Sequence, residues 1–342
     1  MQFTRRLFLA SSLPLLYGSR FSLIGAKTER GFSRRGIVIT PEDLSWKAWP
    51  IRSASAGLNT IALHGSSPKR IINFVNSRSG KQFLTECSRY HLDVEYELHA
   101  MRELLPRAVF KSRPDFFRMN EKGARVADAN LCVHSEGALQ LASDNAVEIG
   151  LVLNPTSGRF FYWGDDGAPW CRCQKCVPFN DSEQALLFEN HLIGKLRKKW
   201  PGAQLAHLAY ARTIEPPKKI EPHPGVFLEY APIHRRYDLP YERQTNERDR
   251  LDLLSQNLEV FPKNTAQVLE YWMDVSRFSH WIRPAVKLPW HREAFEADVQ
   301  TYRRLGIRNA TSFGVFIDSD YISRFGEPAE LFQYGDGLRG IR

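Results

Sequence analysis

The chemically richest stretch of the sequence follows an aromatic run that ends at Trp163. Asp165 and Asp166 leave this run on a turn that is flanked by glycines. A carboxylate placed just past a strand and beside an indole ring is partly buried, which raises its pKa and lets it act as a general acid. Capping of the turn is an equal alternative, because Asp side chains bond their own backbone in such loops. Both interpretations stay open at this point.

A cysteine cluster follows this turn. Cys171, Cys173 and Cys176 lie within six residues, a spacing at which thiolates converge on one soft cation and form a closed, structural zinc site. The fourth ligand would be one of three residues: Cys132, His134 or His191. Disulfide formation is the alternative, either as Cys173–Cys176 or as a bond to Cys132, and five cysteines cannot all pair within one chain. The expected chemistry itself requires no cofactor.

Further acidic, histidine and aromatic side chains lie at or near the ends of other apolar runs. Glu95, Glu97 and His99 alternate, so that period two points all three to one face of a strand. The other polar candidates are His64, Glu229, Glu270, Asp318 and Asp320. For each one alone, a satisfied ion pair is at least as good an interpretation as catalysis. Aromatic candidates for stacking on a sugar are Trp163, Tyr210, Tyr230, Trp272 and Trp281.

Taken together, these residues indicate glycoside hydrolysis, in which two carboxyl groups flank the scissile bond and aromatic rings stack on the sugar. We expect Asp166 to be the general acid, with Asp165 holding it in place. Glu270 or Glu229 would be the base or nucleophile, and His64, Glu97 and His99 would line the same cleft. A carbohydrate-binding protein without activity is one alternative. A metal-dependent hydrolase is another, although an all-thiolate site leaves no open coordination position.

Such a site needs a framework that gathers strand ends. Apolar β-branched runs alternate with amphipathic segments, and roughly eight strand–helix units without a linker-like break predict an α/β fold, a single-domain (β/α)8 TIM-type barrel over residues 36–342. An open doubly wound sheet is the alternative. The predicted strands are Gly36–Thr40, Leu58–His64, Leu92–His99, either Glu148–Asn154 or Arg159–Trp163, Gln204–Tyr210, Val226–Tyr230, Ala266–Trp272 and Ile307–Phe316. The predicted helices are Lys69–Tyr90, Ser135–Ala146, Asp181–Trp200, Asn246–Phe261 and Trp290–Leu305.

The N-terminal segment predicts export. Residues 1–26 combine the pair Arg5-Arg6, an apolar run and no acidic residue, which is typical of a cleaved signal peptide of the twin-arginine type. An ordinary secretory signal is the alternative, and residues 27–35 would be a linker. The expected location is the periplasm or the exterior, reached through the twin-arginine export machinery. Cleavage would lower the formal charge from +9 to +6, since three arginines are lost. Without a basic run or a second long apolar run, we expect neither nucleic acid binding nor a membrane span in the mature protein.

Several segments together resemble one family of bacterial proteins. These segments are Leu92–Ala100, Arg113–Met119, Asn130–Cys132, Asp165–Cys176 and Ala206–Tyr210. They are similar to the domain of unknown function 4838 family, whose members resemble the barrels of α-glucuronidase-type and hexosaminidase-type glycoside hydrolases. The resemblance extends roughly from Gly36 to Phe332 and implies a carbohydrate ligand, with the Asp165-Asp166 turn and Glu270 in the cleft. The paired Asp-Glu signature of classical hexosaminidases is absent, because Gly167 follows Asp166.

Overall fold

Eight parallel strands close into a barrel in chain order, so that each strand pairs with the next and the eighth pairs with the first. In this computed structural model, residues 31–65, 67–245 and 248–341 are described, and the predicted signal segment 1–26 lies outside them. Gly31–Arg342 forms one compact unit. The strands are β1 Arg34–Ile39, β2 Thr60–His64, β3 Asp93–His99, β4 Arg159–Trp163, β5 Gln204–Ala209, β6 Val226–Tyr230, β7 Gln267–Glu270 and β8 Asn309–Phe313.

α-Helices follow every strand except β5, which is followed in the described residues by the short 3-10 helix Ala211–Thr213. In the described residues the α-helices are α1 Trp49–Ser55, α2 Pro68–Asn76, α3 Arg78–Arg89, α4 Met101–Leu104, α5 Glu136–Leu153, α6 Asp181–Lys199, α7 Leu251–Val260, α8 Val275–Phe278, α9 Arg292–Arg304, α10 Ser319–Phe325 and α11 Glu330–Arg339. The predicted (β/α)8 barrel is therefore confirmed. None of the helices in these residues is both long and apolar enough to span a membrane.

The structure resolves one open alternative of the sequence predictions and corrects one predicted helix. The fourth strand is Arg159–Trp163, and the alternative, Glu148–Asn154, forms the end of α5 instead. The reason is spacing: the buried residues of α5 recur at three- and four-residue intervals, which puts them on one helical face. The predicted helix Lys69–Tyr90 is two helices, because Ser77 is extended and its hydroxyl accepts the Gly80 N–H at 3.0 Å, starting α3.

The helix that follows the cysteine cluster begins with a capping box. The Asn180 side chain accepts the Glu183 N–H at 2.7 Å, and the Glu183 carboxylate accepts the Asn180 N–H at 2.9 Å. Two backbone donors that the helix cannot satisfy internally are thereby bonded. The N-cap is therefore Asn180, and Asp181 is the first helical residue.

The barrel interior holds a layer of charged side chains where most such barrels carry branched apolar ones. Arg159 is buried at its centre, 2.5 Å from Gln267, 3.8 Å from Glu95 and 3.9 Å above the Phe227 ring. Arg34 adds a second cation, 3.1 Å from Glu95. The two arginines partly neutralise the carboxyl groups that point inward from β3 and β6, which a closed core requires.

Candidate functional site

A cavity of about 210 Å³ opens at the C-terminal ends of the strands. This is the face at which barrel enzymes carry their active sites. Its aromatic lining consists of Trp163, Tyr210, Tyr271, Trp281 and Phe313. Its polar lining consists of Thr40, His64, His99, Asp166, Asp274 and Ser276. We call this space the mouth cavity.

Two histidines, His64 and His99, line this cavity, and in both the Nδ1 atom is bonded to a backbone carbonyl while Nε2 is left free of that bond. The Nδ1 atom of His64 lies 2.8 Å from the Glu97 carbonyl oxygen, and that of His99 lies 2.8 Å from the Gly164 carbonyl oxygen. A carbonyl only accepts, so each Nδ1 donates and each Nε2 is left for other partners. Burial and the neighbouring His99 lower the pKa of His64 to about 4. At neutral pH its Nε2 is therefore an acceptor, suited to a hydroxyl donor.

The β4–α6 loop begins with a tight turn that presents Asp166. The Ala168 N–H bonds the Asp165 carbonyl oxygen at 3.1 Å, and Gly167 in the turn has a φ of 55°, which favours glycine. Gly164 is needed for a different reason, since a Cβ atom there would lie 2.9 Å from the Asn130 side-chain oxygen. Gly167 thus allows the backbone conformation of the turn, and Gly164 leaves room for the Asn130 side chain.

The two aspartates of the turn have different environments. Asp165 accepts the Asn130 N–H at 2.7 Å and bonds Arg107, so it fastens the turn to the preceding β3–α5 segment. Asp166 points into the mouth cavity, where its carboxylate is 3.7 Å from His99 Nε2, and its negative charge adds to the effect of burial in raising the pKa of Tyr210. Its side chain is 66% exposed. Asp166 therefore presents its carboxylate to the mouth cavity, whereas Asp165 holds the turn in place.

A second carboxyl group in the mouth cavity is Asp274, which the sequence analysis did not select. Its Oδ1 atom caps α8 by accepting the Ser276 hydroxyl at 2.6 Å and the Ser276 and Arg277 N–H groups at 3.1 and 3.3 Å. Burial raises the pKa of Asp274 to about 6. The available signal was the Asp-x-Ser pattern just beyond a predicted strand, which is typical of a helix cap at a strand end.

Glu97 and Glu229 point into the barrel but lie beneath the mouth cavity and are fully buried. The Trp163 indole N–H donates to Glu229 at 3.0 Å, so Trp163 lies between this carboxyl group and the cavity. Burial raises the pKa of Glu229 to about 8 and holds that of Glu97 well above its usual range, with Glu229 and Glu95 adding to the effect at Glu97. The expectation that these two glutamates line the cleft is therefore wrong.

Glu270, Tyr230 and Trp272 were also expected in the cleft, and the structure corrects all three. Their side chains lie on the outer side of the barrel, away from the mouth cavity. Glu270 pairs with Arg235 at 3.1 Å, and the Trp272 indole donates to Asp298 at 3.0 Å. The Tyr230 hydroxyl donates to the Arg250 carbonyl oxygen at 3.2 Å. Neighbouring residues of a strand face opposite sides, so Glu270 faces the helices while Leu269 and Tyr271 face the cavity.

Two further expected sites have a structural role. Asp318 caps α10 by accepting the Tyr321 N–H at 2.9 Å, and Asp320 is an exposed residue of that helix.

A buried group of Ser182, His207 and Glu189 resembles a catalytic triad, with contacts of 2.9 and 2.6 Å. It lies between β5 and α6, and the His207 side chain is fully buried, so no substrate reaches it.

The four cysteines of the predicted metal site converge. The sulfur atoms of Cys132, Cys171, Cys173 and Cys176 all lie within 4.8 Å of one another, and all five cysteines of the chain are free thiols. Cys132 is thus the residue that joins the three clustered cysteines. His134 lies outside this group, with its Nδ1 atom 3.3 Å from Cys176, and His191 is on α6.

The fold resembles several solved glycoside hydrolases at low identity. One is a tri-modular GH5 subfamily 4 endo-β-1,4-glucanase from Bacillus licheniformis, with 10% identity and a TM-score of 0.51 over 92% of this chain and 60% of that chain. An exo-β-1,4-mannosidase from Opitutaceae bacterium strain TAV5 has 13% identity and a TM-score of 0.44 over 83% of this chain and 54% of that chain. The chain thus spans about half the length of the mannosidase. A pneumococcal exo-β-D-N-acetylglucosaminidase module has 10% identity and a TM-score of 0.48 over 91% and 85% of the two chains.

A comparison with curated proteins found no match. The glucanase likeness supports the fold, an eight-stranded α/β barrel, and does not by itself indicate a reaction. A family model matches residues 67–321, which is most of the chain and contains the Asp165-Asp166 turn and the four clustered cysteines. The chain therefore belongs to the family described as domain of unknown function DUF4838.

Proposed function

We propose that this protein is an exported glycoside hydrolase that cleaves a poly- or oligosaccharide in the mouth cavity, with Asp166 and Asp274 as its two catalytic carboxyl groups. The observation that carries the proposal is that both side chains line one aromatic cavity, although they follow β4 and β7. These strands lie on different sides of the barrel, so a sugar in the mouth would have a carboxyl group on each side. Paired carboxyl groups are what glycosidic cleavage requires.

The environments of the two aspartates assign their roles. Asp274 is buried with a pKa of about 6, so it retains its proton at weakly acidic pH and serves as the general acid. Asp166 is largely exposed and serves as the base or nucleophile. This assignment replaces the expectation from the sequence that Asp166 is the acid. Trp163, Tyr210 and Trp281 support the proposal as sugar-stacking surfaces, and the indole of Trp281 is well placed because its residue is 62% exposed.

The proposal predicts activity that depends on Asp166. We expect the mature protein to release the chromophore from at least one of a panel of neutral and acidic aryl glycosides. On that substrate Asp166→Asn should lower kcat/KM by about 100-fold or more, because the base or nucleophile is lost. Asp320→Asn is the matched control: this exposed carboxylate lies outside the mouth cavity, and its loss should leave kcat/KM within about twofold.

A binding assay on the same panel separates the proposal from its alternative. Glycans quench the fluorescence of a tryptophan on which they stack, and Trp163 and Trp281 line the mouth cavity. Quenching without hydrolysis would favour a carbohydrate-binding protein that lacks activity. If no glycan of the panel causes quenching and none is hydrolysed, that result would contradict a carbohydrate role.

Export rests on the sequence of residues 1–26. We expect this segment, fused to a reporter that must fold before transport, to deliver it outside the cytoplasm of a bacterial host. Replacing Arg5-Arg6 by two lysines should abolish delivery if the twin-arginine machinery reads the pair. Delivery that survives the replacement would identify an ordinary secretory signal instead.

A further inference from the structure

We propose that Cys132, Cys171, Cys173 and Cys176 bind one zinc ion that fastens the β3–α5 segment to the β4–α6 loop and so holds the turn that presents Asp166. The sulfur atom of Cys132 lies 3.8 Å from that of Cys173 and 3.9 Å from that of Cys176. A tetrahedral zinc with Zn–S bonds of about 2.3 Å requires sulfur atoms about 3.8 Å apart. Cys132 therefore already has the ligand spacing from two of the other thiols, and all four sulfur atoms lie within 4.8 Å of one another.

The same distances disfavour a disulfide. A disulfide joins two sulfur atoms at about 2.05 Å, so Cys132 and either of these partners would have to approach by more than an ångström and leave the other two thiols behind. Here Cys132 is almost equally far from two partners, and all four sulfur atoms share one buried volume. Closely packed, buried thiols without a metal lack strong hydrogen-bond donors, whereas a central cation would satisfy all four together.

The surroundings suit a negatively charged tetrathiolate. Four thiolates and one zinc ion carry a net charge of −2, which donors must stabilise. The Met119 N–H lies 3.2 Å from the Cys171 sulfur, the Arg125 guanidinium 3.6 Å from it, and His134 Nδ1 3.3 Å from the Cys176 sulfur. Arg125 supplies a full positive charge beside the cluster. The histidine thus acts as a second layer around the sulfur ligands.

The connection to Asp166 runs through Asn130, two residues before Cys132. Asn130 and Asp165 exchange two hydrogen bonds, of 2.7 and 2.9 Å, and the Asn130 amide also donates to the Pro169 carbonyl oxygen at 3.1 Å. The zinc would thus fix both partners of these hydrogen bonds. Asn130 would be held through Cys132, and the turn that contains Asp165 would be held through Cys171. A closed four-thiolate site has no position for water, so the ion would be structural, and the catalytic proposal does not depend on it.

Metal analysis of the purified full chain tests the proposal. We expect one zinc per chain, and replacement by cobalt should give the strong near-ultraviolet thiolate-to-metal absorption of a tetrahedral thiolate site. Cys132→Ser should lose the zinc, whereas Cys87→Ser should retain it, because Cys87 is the one cysteine outside the cluster. Cys132→His keeps a ligand at that position and should retain zinc, which separates loss of a ligand from loss of the fold.

The mass of the unreduced, denatured protein distinguishes free thiols from disulfides. Five free thiols support the proposal, and a mass lower by two hydrogens for each bond would reveal disulfides and overturn it. Stoichiometric iron, visible by its colour, would overturn the identity of the ion. A zinc-free Cys132-intact protein that melts at the same temperature with and without added zinc would also overturn it, since the ion should stabilise the fold.

Discussion

Asp274→Asn should lower kcat/KM by roughly 100- to 10,000-fold, because the variant lacks the proton that a general acid delivers to the leaving group. The asparagine keeps the shape of the side chain and is an equally good helix cap, so α8 should still form. The melting temperature should therefore stay close to that of the wild type while activity falls. A variant with both normal melting and normal kcat/KM would remove Asp274 from the acid role.

The pH dependence of the wild type gives an independent check of the same assignment. Burial raises the pKa of Asp274 to about 6, so the protonated, active form exists below that pH and disappears above it. We expect kcat/KM to fall on the alkaline side of about pH 6, by up to tenfold per pH unit.

The matched control for the pH profile is Asp43→Asn. Asp43 is also a buried aspartate past a strand, and burial raises its pKa to about 6 as well. Its two oxygens accept from Thr40 and Phe316, and it does not line the mouth cavity. The alkaline fall should persist in this variant. Its disappearance there would assign the titration to Asp43 and not to Asp274.

Arg235→Met should destabilise the protein by about 3–5 kcal/mol, the largest stability effect that we expect from a single substitution. Arg235 is fully buried between β7 and α9, 3.1 Å from Glu270 and 2.6 Å from Asp298. Methionine fills a similar volume but leaves two carboxyl groups without their cation. The midpoint of urea denaturation should fall strongly with little change in its slope.

The neighbouring residue provides the control for this prediction. Arg236 also pairs with an aspartate, Asp238, but its side chain is 67% exposed. Surface ion pairs contribute little because water and salt screen them, so Arg236→Met should leave the midpoint of urea denaturation close to that of the wild type. Equal effects of the two substitutions would contradict the importance of the buried network.

The barrel and one side of its interior were predictable from local patterns. Eight apolar runs separated by amphipathic segments require a closed or open parallel sheet, and the alternation of Glu95, Glu97 and His99 correctly places them on one face of β3. The pattern could not say how deep each residue lies. Depth depends on the stagger between strands, and this stagger buries Glu97 below the cavity while His99 lines it.

The presence of Asp274 in the cavity, in place of the predicted Glu270, shows a second limit of prediction from sequence. Both residues lie at the end of the same segment, and Glu270 was the one predicted for the cleft, as a polar residue near a strand end and from the family resemblance. Whether an odd or even position of β7 faces the barrel axis is decided by its pairing with β6 and β8, which local composition does not encode. Asp274 comes into the cavity only because the chain turns into α8 after the strand.

By itself, the sequence determined the fold class, the position of Asp166 just beyond the fourth strand, and three of the four clustered thiols. These follow from short-range spacing, which a single chain displays directly. Only the tertiary structure decided the partner of Asp166, the outward position of Glu270, and Cys132 as the fourth thiol of the cluster. These depend on contacts between segments distant in the chain, which closure of the barrel brings together and local patterns do not specify.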